Sequence, residues 1–217
     1  KHATSLELSL DGDTWDLIAV DDSTWSYLVD EDLADGVYDV RVRAVGAYDR
    51  EGQDDTTDEL VVDTVAPIIQ LNGPGSVVAE AAEPYADPGA VATDDREGDI
   101  SDRLRVNNNV NTELIDTFGV IFNVTDTAGN PAQTVSRIVD VRDTTPPVIT
   151  LLGGDEIEVA ALEPYVDPGV TAIDSHSGDI SEDVAVSGEV DTGAFGTYVL
   201  TYTVRDEYAN EATPVTR

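Results

Sequence analysis

Cysteine and methionine are both missing from the 217-residue sequence. Disulfides, thiol catalysis and cysteine-ligated zinc are thereby excluded. Lysine occurs once, at Lys1, and the other basic residues are all arginine. That leaves no lysine for catalysis and none for internal Lys–Asn or Lys–Asp cross-links. Histidine occurs only at His2 and His176, which is too few for a multi-histidine metal site or for most imidazole proton relays. Positive charge is scarce: 11 Lys+Arg stand against 45 Asp+Glu, a net charge of −34. A phosphate backbone needs a basic footprint, so nucleic acid is not a partner. The same balance disfavours an anionic membrane surface. No run of about 18 apolar residues is present, so no transmembrane helix and no membrane insertion are expected. No secretory leader is visible at Lys1-His2, and the sequence reads as an excerpt from a longer chain.

What is abundant is aspartate. Asp outnumbers Glu 30 to 15. Asp is a poor helix former but a good turn residue and oxygen ligand.

The sequence repeats itself at an offset of 80 residues without a gap. Residues 63–137 match 143–217 at 29 of 75 positions. Glu83-Pro84-Tyr85-Ala86-Asp87-Pro88-Gly89 recurs as Glu163-Pro164-Tyr165-Val166-Asp167-Pro168-Gly169. Gly98-Asp99-Ile100-Ser101 recurs as Gly178-Asp179-Ile180-Ser181, and Asp126 and Asn130 recur as Asp206 and Asn210. A period this long indicates duplicated domains rather than a solenoid. The opening 62 residues form a related unit, with the same plan of long strand, Asp-opened turn and return strand. The linkers 63–67 and 143–147 are short and carry proline, so they read as stiff hinges.

Strands are expected throughout. Tyr38, Val40 and Val42 alternate with polar residues, as do Tyr198, Leu200, Tyr202 and Val204. Phe118, Val120 and Phe122 keep the same spacing, and all ten residues are expected to face inward. Turn clusters at Asn72-Gly73-Pro74-Gly75 and Gly153-Gly154-Asp155 interrupt the strands. Short strands with regular turns read as β-sandwiches. Tyr38 and Tyr198 follow the glycine that opens the long strand, where a tyrosine corner is expected; Phe118 cannot make one. The middle domain continues past Arg137, whereas its match Arg217 is the last residue, so the third domain lacks half of its final strand. The first domain starts at what reads as its second strand. An exposed sheet edge is expected at each end.

These motifs carry a resemblance. The Asp-Thr-x-x-Pro linkers, the Glu-Pro-Tyr-x-Asp-Pro-Gly segment, Gly-Asp-Ile-Ser and the Asp-x-x-x-Asn hairpin resemble bacterial Ig-like repeats of the hyalin-repeat-like class, over residues 63–217. Leu33-Ala34-Asp35-Gly36-Val37-Tyr38 makes the first domain similar to other bacterial Ig-like repeats of large adhesins. The resemblance implies an all-β chain of three tandem Ig-like β-sandwiches in an extended array, 1–62, 63–142 and 143–217. It implies an extracellular or cell-surface location, neighbouring Ig-like domains of one long chain as partners, and calcium bound near domain junctions.

A parity argument places the acidic loops. In an extended array each domain enters at one end and leaves at the other. Its last strand runs toward the exit, so the hairpin tip before that strand lies at the entry, beside the linker. The first junction then gathers Asp35, Asp63 and Asp126, with Asn130. The second gathers Asp116, Asp143 and Asp206, with Asn210 and with Asp99 from the acidic turn 94–99, which is placed at the exit of the middle domain. Clustered carboxylates repel unless a cation sits between them, and hard oxygen ligands suit Ca²⁺. The other reading is that these aspartates only cap their own turns on a solvated surface.

Weaker candidates are Ser175-His176-Ser177, whose neighbours in sequence are not placed as a nucleophile–base pair, and Trp15, a sugar platform or a core residue; Trp25 reads as core. The leading function is a non-catalytic extender of a secreted or surface adhesin, stiffened by calcium at its junctions. The alternative is a glycan- or protein-binding module of an adhesin or a multidomain secreted enzyme.

Overall fold

In the computed structural model the alternating segments are strands over much of their length, although only Thr201–Thr203 of 198–204 is one, and two short 3₁₀ turns, Ser101–Arg103 and Ser181–Asp183, are the only helical elements among the described residues. The structure describes residues 5–10, 14, 16–21, 24–26, 33–45 and 60–217. Trp15, the Trp25 side chain and His2 lie outside them.

The chain divides into two compact units. One comprises 1–70, 90–105 and 123–134, the other 71–89, 106–122 and 135–217. In the first unit, a four-stranded sheet runs Thr24–Ser26, Asp16–Asp21, Ser5–Ser9, Arg41–Val45 in spatial order. Leu8 and Ile18 are buried on it. Gly36–Tyr38 pairs with Leu60–Val62, the strand that leads into the first linker. Ile68–Leu71, Ala90–Asp94 and Gly98–Asp99 form a three-stranded sheet with Ile69, Ala92 and Ile100 buried.

In the second unit, the order is Arg105–Asn108, Thr117–Asn123, Val135–Arg142, Ser76–Glu80, the last pair being parallel. Burial follows the period of two: Val120 and Phe122 are inside and Ile121 is outside, Val139 and Val141 inside and Ile138 outside. The same unit contains a two-layer sandwich. One layer is Val148–Leu151, Val170–Asp174, Gly178–Asp179; the other is Ala185–Ser187, Thr201–Thr203, Val215–Thr216. Ile149 and Ala172 from the first layer pack with Leu200, Tyr202 and Val204 from the second.

The inward register holds. Val120, Phe122, Leu200, Tyr202 and Val204 are buried, and Tyr38, Val40, Val42, Phe118 and Tyr198 are half-buried. Both tyrosine corners form: the hydroxyl of Tyr38 donates to Ala34 O at 2.8 Å and that of Tyr198 to Ala194 O at 3.1 Å. Residues 156–160, in the place of Ser76–Glu80, form no strand and leave Ile157 and Val159 exposed. The ladder that Ser76–Glu80 joins runs along Ile138–Arg142, and its counterpart in the last repeat reaches only Val215–Thr216.

The Glu-Pro-Tyr-x-Asp-Pro-Gly motif has a structural cause. Arg137 is fully buried. Its guanidinium pairs with Asp87 Oδ1 and donates to Pro74 O at 2.9 Å, Asn72 O at 2.8 Å and Gly89 O at 3.3 Å. The Asp87 carboxylate also accepts from Tyr85 Oη and Gly89 N. Gly89 has φ +79°, which explains its glycine. Arg217 repeats the arrangement with Asp167 Oδ1, Gly154 O, Leu152 O and Gly169 O, and there Tyr202 Oη donates to Asp167 at 2.7 Å. Burial and the Asp167 hydrogen bond push the Tyr202 hydroxyl up to about 12.

Burial raises the Asp87 carboxyl, but Arg137, Gly89 and Tyr85 outweigh it and hold it below its ordinary 3.8. A depressed carboxyl stabilises the fold above its unfolded value, and this stabilisation is lost as pH falls through the lower folded value. Asp87→Asn should therefore lower the urea midpoint at neutral pH, and the gap to the wild type should close as pH falls below 3.8. Midpoint curves that stay parallel down to strong acid would show that Asp87 is not the titrating group.

Candidate metal centres

The strand ends assemble two aspartate triads. Asp63, Asp94 and Asp126 form one, and Asp143, Asp174 and Asp206 the other; within each, one ligand-capable oxygen per residue lies within 4.8 Å of the others. Two oxygens held at about 2.4 Å from one ion can be at most about 4.8 Å apart, so this spacing fits a shared Ca²⁺.

Each aspartate arrives for a stated reason. Asp63 and Asp143 open the linkers, and their Oδ1 atoms accept from Val65 N at 3.1 Å and Thr145 N at 3.3 Å. Asp126 and Asp206 cap hairpin tips: Asp126 Oδ1 accepts from Gly129 N and Asn130 N, and Asp206 Oδ1 from Tyr208 N and Asn210 N. Asp94 and Asp174 end strands, and their Oδ1 atoms accept from Arg96 N and Glu97 N, and from His176 N and Ser177 N.

Asp94 and Asp174 are the members that sequence reasoning missed. The turn 94–99, expected at the exit of its domain, begins at the entry instead. Val148–Leu151 leaves the linker, and Val170–Asp174 pairs antiparallel with it, Ile173 opposite Val148. A strand that runs back ends where its partner began, so Asp174 returns to the linker. Ala90–Asp94 beside Ile68–Leu71 follows the same order. The signal was available, since Asp94 and Asp174 are identical across the repeat.

The other expected residues take separate places. Asp35 reaches the first linker, where its Oδ1 accepts from Thr64 N at 2.8 Å and Thr64 Oγ1 at 2.9 Å, outside the triad. Glu80 does the same for the second linker, accepting from the backbone and hydroxyl of both Thr144 and Thr145. Asp99 accepts from Ser101 N and Oγ, and Asp116 from Thr117 N; neither is in a triad. Asn130 and Asn210 sit beside their triads as donors. Asn130 Nδ2 donates to Asp126 Oδ2 at 2.8 Å and Asp63 O at 2.9 Å, and Asn210 Nδ2 to Asp206 Oδ2 at 2.7 Å and Asp143 O at 3.2 Å. The left-handed residue of each tip is Gly129 (φ +101°) or Ala209 (φ +71°).

The triads gather carboxylates at buried positions. Asp94, Asp126, Asp143, Asp174 and Asp206 are all more than nine-tenths buried. Among the described residues, the Oδ2 atoms of Asp94, Asp143 and Asp174 are buried with no hydrogen-bond partner. Leaving such an acceptor unsatisfied costs about 1–3 kcal/mol, and more for a charged group. Burial first, then Asp174 and Asp206, push the Asp143 carboxyl above its ordinary range. Burial also raises Asp126, but the hydrogen bonds from Asn130 and Gly129 prevail and hold it low. Oxygen-only ligands, carboxylate charge and unpaired lone pairs fit a hard divalent cation. His176 lies edge-on to Tyr208, ring centroids 5.6 Å apart.

The profile of the bacterial surface protein Ig-like domain family matches residues 69–141 and again 149–217. The chain belongs to that family. The two matched Ig-like repeats each contain one turn aspartate and one hairpin aspartate of a triad, and the linkers just before them supply the third. The pesticidal crystal protein Cry22Aa of Bacillus thuringiensis is 30% identical over 151 residues, which is 65% of this chain. The chain spans only 20% of the length of that relative. Among solved structures, the lipoprotein BT2262 of Bacteroides thetaiotaomicron aligns at 14% identity and TM-score 0.33, over 65% of this chain and 61% of that one. The M60 catalytic domain with the CBM51-1 and CBM51-2 domains of Clostridium perfringens ZmpB aligns at 14% identity and TM-score 0.44, over 98% of this chain and 36% of that one. No helix among the described residues is long and apolar enough to cross a membrane.

Proposed function

We propose that this chain is a non-catalytic extender segment of a bacterial secreted or surface protein. Three tandem Ig-like domains, 1–62, 63–142 and 143–217, are joined by linkers that calcium stiffens. The observation that carries this reading is the pair of triads whose buried carboxylate oxygens lack hydrogen-bond donors. Each triad ties a linker aspartate to two loops of the domain that follows. Asn130 and Asn210 hold the linker backbone from that same domain, while Asp35 and Glu80 hold the linker threonines from the domain before. A cation among the three carboxylates removes their repulsion and fixes the linker's first residue, so the hinge loses freedom. The role is mechanical: it holds a distal part of the protein away from the cell.

The test is small-angle scattering on the whole chain, first with calcium and then with chelator. Ionic strength is held constant so that general screening is not mistaken for binding. The maximum dimension should grow better defined with calcium while the sandwiches persist without it, because their apolar clusters are built from strand residues and not from the triads. An unchanged scattering curve together with an unchanged melting temperature would sink the reading. The competing reading, a glycan- or protein-binding module, has one observation on its side: the ring of Phe195 is 96% exposed. Binding to a glycan array that is abolished by Phe195→Ala would favour it.

A further inference from the structure

The two triads are alike at their ligand oxygens and unlike around them. Asp63 is half-buried, whereas its counterpart Asp143 is buried. Among the described residues, the first triad has one buried oxygen without a partner, Asp94 Oδ2; the second has Asp143 Oδ2 and Asp174 Oδ2, and Ser177 Oγ beside them. Fixed charge differs more. The stretch 95–105 carries Arg96, Arg103 and Arg105 against four carboxylates. The matching stretch 175–185 carries no arginine and three carboxylates.

Arg103 is the nearest of these cations in effect. It pairs with Glu97, whose other oxygen accepts from Thr127 N at 2.8 Å, next to Asp126. Asp126 is among the charges that act on the Arg103 guanidinium. In the other repeat Ser177 stands in place of Glu97 and Asp183 in place of Arg103. Arg103 cancels the charge of Glu97 beside the first triad, so the pair adds no attraction for an arriving cation. The matching pair, Ser177 and Asp183 at the end of the equivalent 3₁₀ turn, keeps one net negative charge, which adds attraction. Deeper burial lowers the local dielectric and enlarges that attraction.

We propose that the two sites fill in order, the Asp143–Asp174–Asp206 site first, and that the charge at position 103 sets the gap between them. This rests on the calcium reading above. Its consequence is graded stiffening: at intermediate calcium the second linker is fixed while the first still moves. One unit charge acting on a divalent cation at about 10 Å and an effective dielectric of about 20 corresponds to more than a hundredfold in affinity unscreened, and to roughly tenfold once salt screens it over about one Debye length.

The test is calorimetric titration of the whole chain with calcium chloride at constant ionic strength. Wild type should show two classes of site separated by about tenfold or more. Asp126→Asn should abolish the weak class and Asp206→Asn the tight one. Arg103→Gln, which keeps a donor for Glu97, should strengthen the weak class and leave the tight class alone. Asp183→Arg should weaken the tight class. Two ions bound with a single affinity, or loss of the tight class in Asp126→Asn, overturns the order and leaves the calcium reading intact. No calcium bound at either site overturns both. A circular dichroism spectrum for each variant separates lost binding from lost folding.

Discussion

Arg137→Met should destabilise the fold by about 3–5 kcal/mol, the cost of breaking a fully buried ion pair from one side. Methionine fills much of the volume, so the loss is not a cavity effect. It leaves Asn72 O, Pro74 O and Gly89 O without the guanidinium that now serves them, and Asp87 without its counter-charge. Replacing both members of a buried pair by apolar residues is often neutral, but backbone carbonyls cannot be replaced. The order of damage should therefore be Arg137→Met, then Arg137→Lys, then Asp87→Asn. Lysine keeps the charge but not the fork that reaches several oxygens at once. Asp87→Asn keeps one acceptor oxygen, enough for Gly89 N and the guanidinium but not also for Tyr85 Oη. Urea unfolding is the measurement, with each transition fitted separately because a multidomain chain need not unfold in one step. A loss below about 1 kcal/mol for Arg137→Met would mean that water replaces the guanidinium.

This buried arginine also marks the limit of what the sequence could tell. The pattern of alternating residues located the strands and their inward face, because period-two burial is a local property. The repeat showed that Arg137 and Arg217 correspond, and that Asp87 and Asp167 do. It did not show that each pair meets across 50 residues. The Asp-Pro-Gly segment thus read as a family signature, with no cause attached. Asp63 with Asp126, and Asp143 with Asp206, were legible from strand parity alone, since a hairpin tip must face the linker when the final strand leaves it. Asp94 and Asp174 were legible only as residues identical in the two repeats, because their place beside the linker depends on which strand the linker feeds. That pairing is a tertiary fact. Asp35 was placed at the right linker for the wrong partner: a short side chain next to a threonine hydroxyl and amide caps them sooner than it reaches a triad.

Asp143→Asn should act in opposite directions with and without calcium. Without it, three carboxylates lie together with little solvent, and the Oδ2 atoms of Asp143 and Asp174 have no donor. Asparagine removes one of the charges, keeps the shape and still offers an oxygen to Thr145 N. Its amide can donate to Asp174 Oδ2. The melting temperature in chelator should rise. With calcium the order reverses. The wild type gains on the order of 2.7 kcal/mol at a hundredfold excess over its dissociation constant, which corresponds to roughly 10 °C or more for a domain of this size. The variant, short of one charged ligand, should gain little. The two melting curves therefore cross between chelator and calcium. Asp99→Asn is the control: its carboxylate serves only Ser101, outside both triads, so it should shift stability by the same small amount in both conditions. Ionic strength must again be matched, since screening alone relieves repulsion among exposed charges. If Asp143→Asn is less stable than wild type by the same amount in both conditions, its carboxylate is simply the cap of the linker turn. In that case the missing donors at the triad are supplied by water and not by an ion.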